Sequence, residues 1–83
     1  ENIQLQDHDS PENILYKNEL ESVINDAVSE LPEDLRTALM LREFEDLSYE
    51  QISDIMDCPV GTVRSRIFRA REALEEKISK LEN

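Results

Sequence analysis

The sequence predicts an all-α domain of four helices, the last two forming a helix-turn-helix. Two observations predict the class: the 83 residues include a single glycine, and they are rich in Glu, Leu and Arg, residues that favour helices. A third predicts the architecture. Apolar residues recur at helical spacing in four successive segments, and prolines or turn residues punctuate the gaps. There are no internal repeats and no low-complexity tracts.

Residues 1–9 are polar and aperiodic and are expected to be a tail or linker; residues 10–83 are expected to form the domain. The first helix opens with Ser10 as N-cap, Pro11 at the first helical position and Glu12 in the first turn. Its apolar stripe is Leu20, Val23, Ile24, Ala27, Val28 and Leu31. Pro32 ends that helix and opens the second, which runs to about Phe44. Leu35, Ala38, Leu39 and Phe44 are expected to face the core, with Glu33 and Asp34 near the positive N-terminal end. Glu45-Asp46-Leu47 connects to a short third helix. Ser48 caps it, and Gln51 three residues later completes a capping box. Ile52, Ile55 and Met56 are its expected buried positions. Asp57-Cys58-Pro59 breaks it, and a fourth helix runs from about Val60 to Leu81.

Charge is unevenly spread. The net charge is −11, which argues against a nucleic-acid partner. Residues 1–57, however, hold 3 basic and 16 acidic side chains, a net of −13, whereas residues 58–71 hold Arg64, Arg66, Arg69 and Arg71 with no acid. Positive potential is thus confined to one short stretch, although four arginines on a helix also describe a merely solvated face. The single cysteine, Cys58, excludes an internal disulfide. No apolar run is long enough to span a membrane, and residues 1–10 lack the features of a secretory signal. A soluble, cytoplasmic protein is expected, and the missing initiator Met suggests a piece of a longer one.

A helical wheel sorts the fourth helix. At 100° per residue, Val63, Ile67, Ala70 and Leu74 fall in one sector, continued by Ile78 and Leu81. The opposite side carries Gly61, Ser65, Phe68 and Glu72, flanked by Arg64 and Arg69. Each outer residue has a use against DNA. An arginine fork makes two parallel hydrogen bonds to a guanine edge. Ser65 allows close approach and offers a hydroxyl. Phe68 pointing outward contacts a thymine methyl; the alternative is a partly buried ring packed on the first or second helix. Gly61 leaves room for a phosphate, and Thr62 with the free helix amides binds one. The start of the third helix at Ser48-Tyr49 offers further amides and a phenol hydroxyl to the backbone. Arg66 lies near the buried seam and is expected to pair with an acid of a neighbouring helix; Arg71 is open to either role.

The run from Leu31 to Leu74, with LPEDLR, LREFEDLSYEQI and DCPVGTVRSRIFRAR as its most specific pieces, closely resembles region 4 of the extracytoplasmic-function sigma factors of bacteria, especially the sigma-E type. The resemblance implies a domain that reads the minus-35 promoter element while docked on core RNA polymerase through the flap of the β subunit, and that an anti-sigma factor masks. It places Arg64, Ser65, Phe68 and Arg69 at recognition-helix positions, Arg42 at a backbone-contacting position and Thr62 near phosphate. The docking surface for both protein partners is expected on exposed apolar parts of the first two helices. The Asp57-Cys58-Pro59-Val60 turn departs from the glycine turn of many helix-turn-helix motifs, but this form occurs within the family. Two other readings compete. One is the DNA-binding domain of a LuxR-type response regulator, against which SRIFRARE and LPEDLR weigh. The other is a protein-interaction module held by an anti-sigma factor.

Other residues carry less. His8 stands alone in a polar tail, and no metal-ligand set surrounds it. Cys58 reads as a buried structural thiol. Glu33/Asp34 and Glu45/Asp46 read as surface and helix-start charges, and Glu76 with Lys80 as an i,i+4 pair. No nucleophile–base pair supports an enzyme, and no cofactor is expected.

Overall fold

The computed structural model describes residues 11–82, with side chains from 18 to 81. Among the described residues there are four helices: α1 (Pro11–Glu30), α2 (Glu33–Glu43), α3 (Tyr49–Met56) and α4 (Val60–Glu82). The expected all-α architecture is therefore observed, with each helix within two residues of its expected bounds. The expectations for Ser10, His8 and the 1–9 tail lie outside the described residues.

α4 is the spine on which the other three helices pack. Its seam residues Val63, Ile67 and Ala70 are buried to within 1% of full burial. They meet Leu31 at the end of α1, Ala38 and Leu39 of α2, and Ile52 of α3 in one core cluster. Leu74, Ile78 and Leu81 continue the seam as half-buried positions, because fewer neighbouring residues cover the far end of the helix. In α1, Ala27 is buried, while Leu20, Val23, Ile24 and Val28 are half-buried.

Two expected core residues are exposed. Phe44 is 72% exposed. It is the C-cap of α2, and five residues after Leu39 a helix has turned about 140° away from it. Ile55 is 59% exposed. The packed strip of α3 runs through Tyr49, Ile52 and Met56, which places Ile55 about 60° to the far side of Ile52.

The two connections that orient the helix-turn-helix are held by local chemistry. Ser48 Oγ accepts from the Gln51 amide at 3.1 Å, and Gln51 Oε1 accepts from the Ser48 amide at 2.9 Å. This is the expected capping box. α2 lacks such a cap: its N-cap is Pro32, which has no side-chain acceptor, and Asp34 Oδ1 instead accepts from the Leu35 amide at 2.9 Å. The α3–α4 turn works without glycine, because Asp57 adopts the left-handed conformation at φ 55°, which the short polar Asp tolerates better than most residues. The Cys58 amide donates to the Ser53 carbonyl at 3.1 Å, and the Ser53 hydroxyl donates to the Cys58 carbonyl. Cys58 itself is half-buried against the core rather than fully enclosed.

Candidate nucleic-acid interface

The outer face of α4 forms as its periodicity dictates. Arg64, Ser65, Phe68 and Arg69 are all exposed, as are Gly61 and Glu72. Phe68 is 63% exposed, so it points outward and does not pack on α1 or α2. Thr62 is half-buried at the first turn, where its amide donates to the Pro59 carbonyl at 2.9 Å. A shallow depression of about 500 Å³ lies along this face, lined by Pro59, Gly61, Thr62, Ser65, Arg66, Arg69 and the Asp34 carboxylate that pairs with Arg66. A larger hollow of about 620 Å³ is walled by Glu72, Ala73, Glu75 and Glu76. Its three carboxylates, with no basic residue in the wall, repel phosphate, whereas the first depression sets two arginines against one carboxylate.

Gly61 is informative here. A Cβ added to it would meet nothing within 4 Å, and its φ is not positive. The fold therefore makes no use of its missing side chain, although glycine in a helix costs roughly 0.5–1 kcal/mol against alanine. The room it leaves opens outward.

Ion pairs separate the four arginines into two kinds. Arg66 Nε lies 3.5 Å from Asp34 Oδ2, and its Nη1 donates to Cys58 Sγ at 3.5 Å. Arg71 Nη2 donates to Glu43 Oε2. Asp34 is in the first turn of α2 and Glu43 is its last residue, so the two pairs strap both ends of α2 to the sides of α4. The hydrogen bond to Glu43 raises the Arg71 pKa further, against a smaller opposing effect of burial. The expected partnership of Arg66 is met, and Arg71 also takes the structural role. Among the described residues, Arg64 and Arg69 form no ion pair. Lys77 Nζ reaches Glu30 Oε1 at 3.1 Å, so the lysine of α4 that pairs ties it to α1; the expected Glu76–Lys80 pair is not formed.

Arg42 is half-buried at the end of α2. Its Nη1 donates to the Leu47 carbonyl at 2.8 Å, and its Cζ lies 5.0 Å from the centroid of the Tyr49 ring. Arg64 Cζ lies 5.6 Å from the same centroid. The sequence placed Tyr49 near the site for its hydroxyl. The use of its ring comes from pairing across two helix ends, and spacing along a chain carries no sign of that.

On the side of α4 facing α1 and α2 there is an apolar cavity of about 260 Å³, lined by Ile24, Val28, Leu39, Phe44 and Leu74 and flanked by the Glu43–Arg71 pair. Among the described residues, no helix is long and apolar enough to cross a membrane.

Residues 22–74, spanning α2, α3, the second half of α1 from residue 22 and most of α4, match the family described as Sigma-70, region 4. The chain belongs to the sigma-70 region 4 family. As a region 4 chain it is 62% identical over 77 residues to the ECF RNA polymerase sigma-E factor of Haemophilus influenzae, covering 93% of this chain and 41% of that protein. It is 57% identical over 77 residues to the RNA polymerase sigma-H factor of Pseudomonas aeruginosa, covering 93% and 40%. To the ECF sigma-E factor of Escherichia coli K12 the identity is 54% over 77 residues, again covering 93% and 40%. This region 4 thus spans about two fifths of the length of these curated relatives. The family match separates it from the LuxR-type alternative.

Proposed function

We propose that this chain is the promoter-reading module of an alternative sigma factor, recognising the minus-35 element through α4 while docked on core RNA polymerase. One observation carries the reading. Within the only arginine-rich stretch, the structural arginines Arg66 and Arg71 are engaged by acids of α2, whereas Arg64 and Arg69 form no ion pair among the described residues and stand exposed beside Ser65 and Phe68. Arg64 and Arg69 present guanidinium forks to guanine edges. Ser65 supplies a hydroxyl at close range, and Phe68 packs against a thymine methyl. The Thr62 hydroxyl and the first amides of α4, those of Val60 and Gly61, take a phosphate oxygen, with Gly61 admitting it. Arg42 spends one N–H on Leu47 and keeps others for the DNA backbone.

The apolar cavity walled by Phe44 supports docking on the flap of the polymerase β subunit. A 72%-exposed phenylalanine at its rim is costly in water and gains by burial against a partner. An anti-sigma factor covering the same surface would exclude polymerase. This polymerase-dependent reading suits a domain of net charge −11, which phosphate repels at long range.

The test is footprinting and transcription with core polymerase plus the full-length factor. Protection near minus 35 is expected, and Arg64→Ala or Arg69→Ala should lower promoter-directed transcription while polymerase binding and the fold persist. Unchanged transcription from both variants would reject the assigned face.

A further inference from the structure

Tyr49 sits where three helices meet the interface. It is the first residue of α3, lies within the capping box between Ser48 and Gln51, and is half-buried against the core. Two guanidinium groups approach its ring: Arg42 from the end of α2 at 5.0 Å and Arg64 from α4 at 5.6 Å. Arg42 is in turn anchored on the Leu47 carbonyl at 2.8 Å. A cation over an aromatic face is attracted by the negative potential of the ring. A guanidinium that stacks this way keeps its N–H groups, which lie in its own plane, available for a fork contact. Without such a support, an exposed arginine must freeze its rotamers each time it binds.

We propose that Tyr49 is a positioning residue for base recognition. Its ring holds Arg64 in the conformation that meets the base edge, and Arg42 braces the ring from α2. The inference rests on the reading above, in which Arg64 contacts promoter bases. It differs from a phosphate contact by the Tyr49 hydroxyl, because it assigns the effect to the ring face and to specificity, not to overall affinity.

The experiment uses polymerase holoenzyme assembled with the full-length factor. Affinity is measured on promoter DNA and on DNAs substituted one base at a time across the minus-35 element. Arg64→Ala identifies the position at which discrimination depends on Arg64. At that position, Tyr49→Leu is expected to lower the ratio of cognate to substituted affinity by about two- to fivefold, the scale of an exposed cation–π contact. Tyr49→Phe is expected to keep the ratio, even if it weakens both affinities equally. In the Arg64→Ala background, Tyr49→Leu should lower the ratio no further. Urea unfolding monitors the fold of each variant, and Tyr49→Met replaces Tyr49→Leu if the latter is not folded. The inference is overturned if Tyr49→Phe loses as much discrimination as Tyr49→Leu, if Tyr49→Leu leaves the ratio intact while Arg64→Ala abolishes it, or if the two effects add. Should Arg64→Ala leave discrimination intact at every position, the recognition face itself falls and this inference falls with it.

Discussion

Arg66 and Arg71 show how a residue type can mislead while its angular position does not. Both belong to the basic stretch, yet they sit roughly 60° and 80° from Val63 on the helical wheel, close enough to the seam for acids of α2 to reach them. Arg64 and Arg69 are farther round and, among the described residues, have no acid paired with them. The same angles account for stability. Ile67 is 1% exposed, and Ile67→Ala is expected to cost roughly 2–5 kcal/mol. Phe44→Ala, at a 72%-exposed position, is expected to cost under about 1 kcal/mol despite removing a larger group. Urea unfolding of the two variants checks the contrast; comparable losses would mean that Phe44 is covered. The seam of α4 was legible in the sequence because six residues repeat at one phase. Phe44 and Ile55 are exposed against expectation because helical phase, not hydrophobicity, decides burial at a helix end and on a short helix. The Tyr49–arginine contacts and the ties to Asp34 and Glu43 join residues distant in sequence, so no local pattern announces them.

The connections between helices were the easiest elements to anticipate, since their chemistry is confined to a few consecutive residues. Ser48 and Gln51 satisfy each other's amides within one turn, and Ser-x-x-Gln before an apolar run is visible in any sequence. α3 has only 8 residues, too few for its own hydrogen bonds to sustain it, so the cap is a large share of its local support. Ser48→Ala is expected to cost about 1 kcal/mol and to lower the melting temperature by about 4–8 °C for a domain of this size. Thermal unfolding followed by circular dichroism measures it, and an unshifted melting temperature would show the cap to be dispensable. The left-handed Asp57 was not foreseeable in the same way. The sequence marked a break at Asp57-Cys58-Pro59, but not which residue would bend, because Asp is accepted in the left-handed region without being required there.

At the scale of the whole molecule, charge sets what the domain can do alone. Each phosphate neutralised contributes a slope of about −0.9 to log affinity against log salt. With Arg42 on the backbone, Arg64 and Arg69 on base edges and Arg66 and Arg71 held by α2, the slope for this chain on promoter duplex is expected to lie between about −1, for Arg42 alone, and about −3, if the two base-reading arginines also displace counterions. Fluorescence anisotropy at a series of salt concentrations gives the value. A slope near −4.5 would mean that Arg66 and Arg71 reach phosphate along with the other three and that the straps to Asp34 and Glu43 open on DNA. The continuity of α4 has a further consequence. Its 23 residues carry the promoter-facing arginines and the core seam on one uninterrupted screw, with no hinge between them. One residue inserted after Arg69 would turn everything beyond it by about 100°, swinging Ala70 and Leu74 off the seam. The phase between what faces the promoter and what faces the core is therefore locked by residue count, and length changes can be absorbed only beyond the last seam contact or in the loops.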